Sequence, residues 1–76
     1  MKVAIEYTDT FAGEANYGWC RRASFEMSDH SSDLAIVRAA KKAISLEGIR
    51  CRKSNYGEMI VLRPCGTCTV AFITFS

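Results

Sequence analysis

Apolar and polar positions alternate over residues 2–11: Val3, Ile5, Tyr7 and Phe11 fall on one side, Lys2, Glu6 and Thr8 on the other. A period of two predicts a half-buried strand. Ala12-Gly13-Glu14-Ala15-Asn16 carries turn chemistry, and residues 17–27 alternate again, with Trp19, Ala23, Phe25 and Met27 on one side. Arg21 interrupts that apolar row. Either it lies beyond the edge of the core or a bulge near Cys20-Arg21-Arg22 resets the register.

The period then changes. Ser28-Asp29-His30-Ser31-Ser32-Asp33 is rich in capping side chains and precedes Leu34-Ala35-Ile36-Val37, which predicts a helix start. Ser31 or Ser32 is the expected cap, and Asp33 suits the positive end of the helix dipole. Ile36, Val37, Ala40, Ala43 and Ile44 form the expected buried stripe, opposite Arg38, Lys41, Lys42 and Ser45. The helix is expected to reach Glu47 and stop at Gly48.

Three further strands are predicted at 49–54, 58–63 and 68–75, with Asn55-Tyr56-Gly57 and Pro64-Cys65-Gly66-Thr67 as turns. The order ββαβββ with short connections implies an α+β, two-layer domain spanning residues 1–76. Its antiparallel sheet has four to five strands, with one helix on one face. Met59-Ile60-Val61-Leu62 and Val70-Ala71-Phe72-Ile73 are apolar on both sides, whereas one helix covers one face. One alternating set, Ile60, Leu62, Ala71, Ile73 and Phe75 or Met59, Val61, Val70 and Phe72, must therefore lie away from the helix. Closure of that face is expected from sheet curvature, from the first hairpin, or from a docked protein or second copy with Tyr17, Arg21 and Arg22 at its rim.

Size restricts the picture to one core. Seventy-six residues bury only about 60% of the unfolded surface, so stability is marginal. The 49% hydrophobic and 24% charged content belongs to a folded chain, not a disordered one. A net charge of +2 excludes an acidic DNA mimic and does not announce a nucleic-acid binder. Met1-Lys2-Val3-Ala4-Ile5-Glu6 lacks the apolar core of a signal peptide, and no apolar run spans a bilayer. The expectation is a soluble cytoplasmic protein with reduced thiols.

Cys65-Gly66-Thr67-Cys68 is the most chemical stretch. A thioredoxin-like pair needs its first cysteine at a helix N-terminus, and here a strand follows. A zinc site generally needs a second close ligand pair. Cys20 and Cys51 are single and remote, with Cys51 expected opposite Leu62. A four-thiolate set of Cys20, Cys51, Cys65 and Cys68 is the alternative to the expected turn with free thiols, no metal and no cofactor. His30 lies among capping residues, with the character of an exposed loop residue, and no phosphate-binding glycine loop or hydrolase elbow is present. No catalytic residue is assigned, and the chain is read as a non-enzyme.

Two surfaces remain. Arg38, Lys41 and Lys42 share a helix face and Arg50, Arg52 and Lys53 crowd the next strand, which suits phosphate contacts. Gly13 to Arg22 instead combines Tyr17, Trp19, Arg21 and Arg22, residue types that dominate protein-binding hot spots. Trp19 has a second reading as a core anchor. This stretch, together with Thr69-Val70-Ala71-Phe72-Ile73-Thr74-Phe75, resembles small uncharacterised proteins encoded by bacteriophages and prophages. Anti-CRISPR proteins and other host-takeover inhibitors are of that kind. The resemblance implies a compact, non-enzymatic chain that binds and inhibits or modulates a host protein complex. It transfers no functional residue. The alternative expectation is a nucleic-acid-binding accessory module.

Overall fold

A computed structural model describes residues 1–75. The strands are β1 (Lys2–Phe11), β2 (Glu14–Glu26), β3 (Cys51–Asn55), β4 (Met59–Pro64) and β5 (Thr69–Phe75), with helix α1 (Asp33–Ala43) between β2 and β3. They form one antiparallel sheet in the order β2-β1-β5-β4-β3. The first and last strands are thus paired at its centre. The fold is α+β, with the helix on one face.

The register explains the core. Ile5 stands opposite Ile73, Tyr7 opposite Ala71, Ile60 opposite Ile73 and Leu62 opposite Ala71. Directly opposed residues share a face, so these side chains line up beneath the helix, where Ile36, Ala40 and Ile44 meet them. The Ser32 hydroxyl caps α1 by accepting from the Ala35 amide at 3.2 Å. Asn55 Nδ2 donates to Asp33 Oδ2 at 2.7 Å and so ties the start of the helix to β3.

The helix ends earlier than expected. Ser45 adopts φ +62°, its amide bonds to the Lys42 carbonyl at 3.3 Å, and the Leu46 amide bonds to the Lys41 carbonyl at 2.7 Å. This is a Schellman stop, with serine where glycine is usual. Ala43, assigned to the buried stripe, is exposed, and Leu46 is buried instead after the chain has left the helix.

The set away from the helix is Met59, Val61, Val70 and Phe72. Contrary to a face left open for a partner, Val70 is inaccessible and Val61 nearly so, with Met59 and Phe72 half-buried. Arg63, on that face, donates to the Gly13 carbonyl at 3.2 Å. In a flat sheet Gly13 would lie about 16 Å beyond Thr8 along β1, while Arg63 would lie level with Thr8 two strands away, about 10 Å across. The contact therefore requires the β1–β2 hairpin to bend back over the outer face toward β4, above Val61 and Val70.

Candidate binding surface

The bend has a local cause. Ala12 and Gly13 have φ of +55° and +84° and connect Phe11 directly to its partner Glu14, which is the pattern of a type I′ turn. The five-residue turn predicted over 12–16 is thus only two residues long. Farther down, Thr8 pairs with Cys20 but Thr10 pairs with Ala15. Asn16, Tyr17, Gly18 and Trp19 bulge out opposite Asp9 alone.

Two adjacent side chains of β1 hold this bulge. The inaccessible Thr8 hydroxyl accepts from the Tyr17 amide at 3.1 Å and donates to the Trp19 carbonyl at 2.8 Å. Asp9 accepts from Asn16 Nδ2 and from the Gly18 amide, each at 2.9 Å. The Asn16 amide, followed by the Gly18 N–H, holds the Asp9 carboxyl below its ordinary 3.8 despite some desolvation. Tyr17 takes φ +56°, a left-handed conformation costly for a residue with a Cβ. A Cβ on Gly18 would lie 2.9 Å from Asp9 Oδ2, so glycine is needed where the carboxylate closes on the backbone. Sequence reasoning singled out residues 13–22 but missed Thr8 and Asp9. The available signal was a Thr-Asp pair facing an Asn-x-Gly, all residues that bond locally to backbone.

The bulge sends the four predicted contact residues to both sides of the sheet. Tyr17 and Arg22 gather on the outer face around Glu6, which Arg22 Nε meets at 3.0 Å. The Tyr17 hydroxyl, then Arg22, holds the Glu6 carboxyl below its ordinary 4.5, while Glu6 pushes Tyr17 up. Trp19 and Arg21 lie on the helix side. Trp19 packs edge-on against Tyr7, ring centres 5.2 Å apart, and is 43% exposed, so it is not an enclosed core anchor. Arg21 stands opposite Tyr7 and is exposed. It lies beyond the edge of the core, in regular register, and the bulge at residues 16–19 ends before it. Phe11 at 75% and Tyr17 at 51% exposure join Trp19, so one hairpin carries three large exposed aromatics.

The basic residues divide. Arg38, Lys41 and Lys42 border a groove beside Glu47 and Gly48, with Lys41 Nζ donating to the Ile49 carbonyl. Arg50 is exposed. Arg52 stands opposite Arg63 on the outer face and Lys53 opposite Leu62 on the helix side. They do not form a single surface.

Cys65-Gly66-Thr67-Cys68 is the β4–β5 turn, with Gly66 at φ +83°. Thr67 and Thr69 hydroxyls lie 2.7 Å apart, and Tyr7 donates to Thr69 at 3.0 Å, which anchors the turn to β1. Cys51 pairs with Pro64, not Leu62, and so lies beside Cys65. Burial pushes the Cys51 thiol above its ordinary 9.0; Lys41 opposes and Cys65 adds to the rise. A raised pKa leaves the Cys51 thiol protonated and a poor nucleophile. Cys20 is across the sheet on β2. Among the described residues no three His, Cys, Asp or Glu side chains converge on a metal-sized site. His30 is exposed in the turn before α1, its amide bonded to Ser28 Oγ at 3.2 Å.

Among the described residues no helix is long and apolar enough to cross a membrane. Compared with protein-family models, curated proteins and solved structures, the chain matches none.

Proposed function

We propose that the chain acts by stoichiometric binding rather than catalysis, as a small phage-type protein that docks on a host protein complex and inhibits or modulates it. An anti-CRISPR role is the specific form of this reading. One observation carries the binding part: Phe11, Tyr17 and Trp19 are all exposed on one hairpin, Tyr17 on its outer face and Trp19 on its helix side, with the backbone locked by Thr8 and Asp9. Exposed aromatics are the residues that dominate hot spots, and a prefixed backbone reduces the entropy lost on docking. Arg21 and Arg22 supply charge on either side of that tip. The bacteriophage part rests on the sequence resemblance.

The test is affinity capture from a bacterial lysate with the wild-type chain, Tyr17→Ala and Trp19→Ala, each with and without nuclease. A stoichiometric protein retained after nuclease by wild type, and lost with either variant, supports the reading. Retention indifferent to both variants refutes the assigned surface.

The groove bordered by Arg38, Lys41 and Lys42 favours a second reading, an accessory module that contacts nucleic-acid phosphates. Its signature is binding that weakens with salt, with a log–log slope of roughly −0.7 to −0.9 per phosphate neutralised.

A further inference from the structure

We propose that the free edge of β2 pairs with the same edge of a second copy, joining two sheets into one. The inference goes beyond the binding reading and uses the outer edge of the hairpin, residues 20–26, sharing Arg21 and Arg22 with that surface but not its exposed aromatics.

The sheet order leaves β2 and β3 as the two edges. The phase of β2 is set at its end, where the Met27 amide donates to the Met1 carbonyl at 2.9 Å and the Met1 amino group donates to the Met27 carbonyl at 3.0 Å. In an antiparallel ladder such mutually bonded pairs alternate with unbonded ones. Arg21, Ala23 and Phe25 therefore direct their backbone groups at β1. Arg22, Ser24 and Glu26 direct theirs away from the sheet, where none of the described residues offers a partner strand.

An isologous pair on a two-fold axis normal to the sheet must match residues of like face. Centring it on Ser24 sets Arg22 opposite Glu26 of the second copy, and Glu26 opposite its Arg22. Three mutually bonded pairs then form about six backbone hydrogen bonds. Between them Ala23 meets Phe25 of the second copy, twice. Both are half-buried at the rim of the core, so the pairing extends the apolar layer beneath the helix. Arg22 already holds Glu6, and the second copy's Glu26 completes a carboxylate–guanidinium–carboxylate row on the outer face. Centring on Arg22 or Glu26 would instead oppose like charges, and centring on Ala23 would leave Arg22 facing serine. The register is thus selected by charge.

The other edge differs. β3 has five residues, including Arg52 and Lys53, and self-pairing centred on Lys53 opposes two lysines. Short, cationic edges resist pairing. The residue 20–26 segment has neither protection in this register.

Sedimentation equilibrium on the full chain at micromolar concentration is expected to show a dimer. Ser24→Pro removes an outward amide that has no partner within the chain, so the fold is expected to persist by circular dichroism while dimer affinity falls about tenfold or more. Arg22→Glu and Glu26→Arg are each expected to be monomeric alone. Mixed, they are expected to form a heterodimer, because both cross-copy pairs are then opposite in charge. A wild-type chain monomeric at about 100 μM overturns the proposal. So does a dimer whose affinity Ser24→Pro leaves unchanged, or a mixture of folded charge variants that fails to associate.

Discussion

The Thr8 hydroxyl lies 2.8 Å from the Trp19 carbonyl oxygen, on a residue with no accessible surface. The Thr8 hydroxyl oxygen also accepts from the Tyr17 amide, so one side chain satisfies two backbone groups that the bulge removes from the β ladder. Thr8→Val keeps the shape and removes both bonds. The expected cost is about 1–3 kcal/mol, read as a lower urea midpoint, because buried groups lose their partner without regaining water. A midpoint equal to wild type would show that the bulge is held by other contacts. Partner capture is expected to fall with stability, since Tyr17 and Trp19 lose their fixed backbone.

Acid is expected to loosen the same hairpin. Asp9, Glu6 and Asp29 all have carboxyls held below their ordinary values, by Asn16, by Tyr17 with Arg22, and by the Met1 amino group respectively. A depressed folded value contributes stability above the unfolded value and loses it as pH falls through the folded one. Thermal midpoints should therefore hold near pH 6 and decline below about pH 4.5. Asp9→Asn should flatten part of that decline. An acid limb identical in the variant would remove Asp9 from the account. The Met1 amino group, raised by Asp29, works in the opposite sense. Its contribution is present below the ordinary 8.0 and disappears as pH rises through the higher folded value.

Ser45 stands where a glycine would carry no strain. Ser45→Gly should stabilise the chain by roughly 0.5–1 kcal/mol, the relieved left-handed penalty less the entropy a glycine adds to the unfolded state. At about 4–8 °C per kcal/mol for a domain of this size, calorimetry resolves the gain. A lower midpoint would mean that the serine side chain makes a compensating contact.

The two binding readings separate by substitution. Tyr17→Ala and Trp19→Ala should lower retention of a protein partner, whereas Lys42→Glu with Arg52→Glu should leave it unchanged. The charge variants should abolish retention only if phosphates are the target, and then wild-type retention on generic DNA should fall steeply with salt. Retention of wild type on DNA at physiological salt would favour the nucleic-acid reading.

Alternation located β1 and β2, and continuous apolar runs located β4 and β5, each within a few residues. Strand β3, almost wholly exposed, was placed by its position between the helix and β4. Val3, Ile5 and Tyr7 assign β1 unaided. The helix start was legible too, since Ser32 bonds only three residues away. Its end was not. A left-handed serine has no composition signal, and Gly48 offered a more conventional stop less than one helical turn further along. A bulge near Cys20-Arg21-Arg22 was one reading of the misplaced Arg21, but its place at residues 16–19 was not legible, because Thr8 and Asp9 act across the hairpin on backbone groups that no pattern marks. The cysteine geometry failed for a related reason: a loop closing through Tyr56 and Met59 moved Cys51 two positions along β4, from Leu62 to Pro64. The aromatic content of the tip was legible, but the division of Tyr17 and Trp19 between faces depended on the bulge.

The pairing of β1 with β5 at the centre of the sheet has a consequence during synthesis. The β1–β2 hairpin leaves the ribosome ahead of β5, with one row of β1 amides and carbonyls waiting for Thr69–Phe75. Local contacts cannot close that ladder, and loop closure over nearly the whole chain precedes any gain from it. Every nascent chain thus passes through a period in which β1 is itself an open edge, available to neighbouring polysomal chains. The rate at which ribosomes deliver residues 69–75 sets how long that vulnerability lasts.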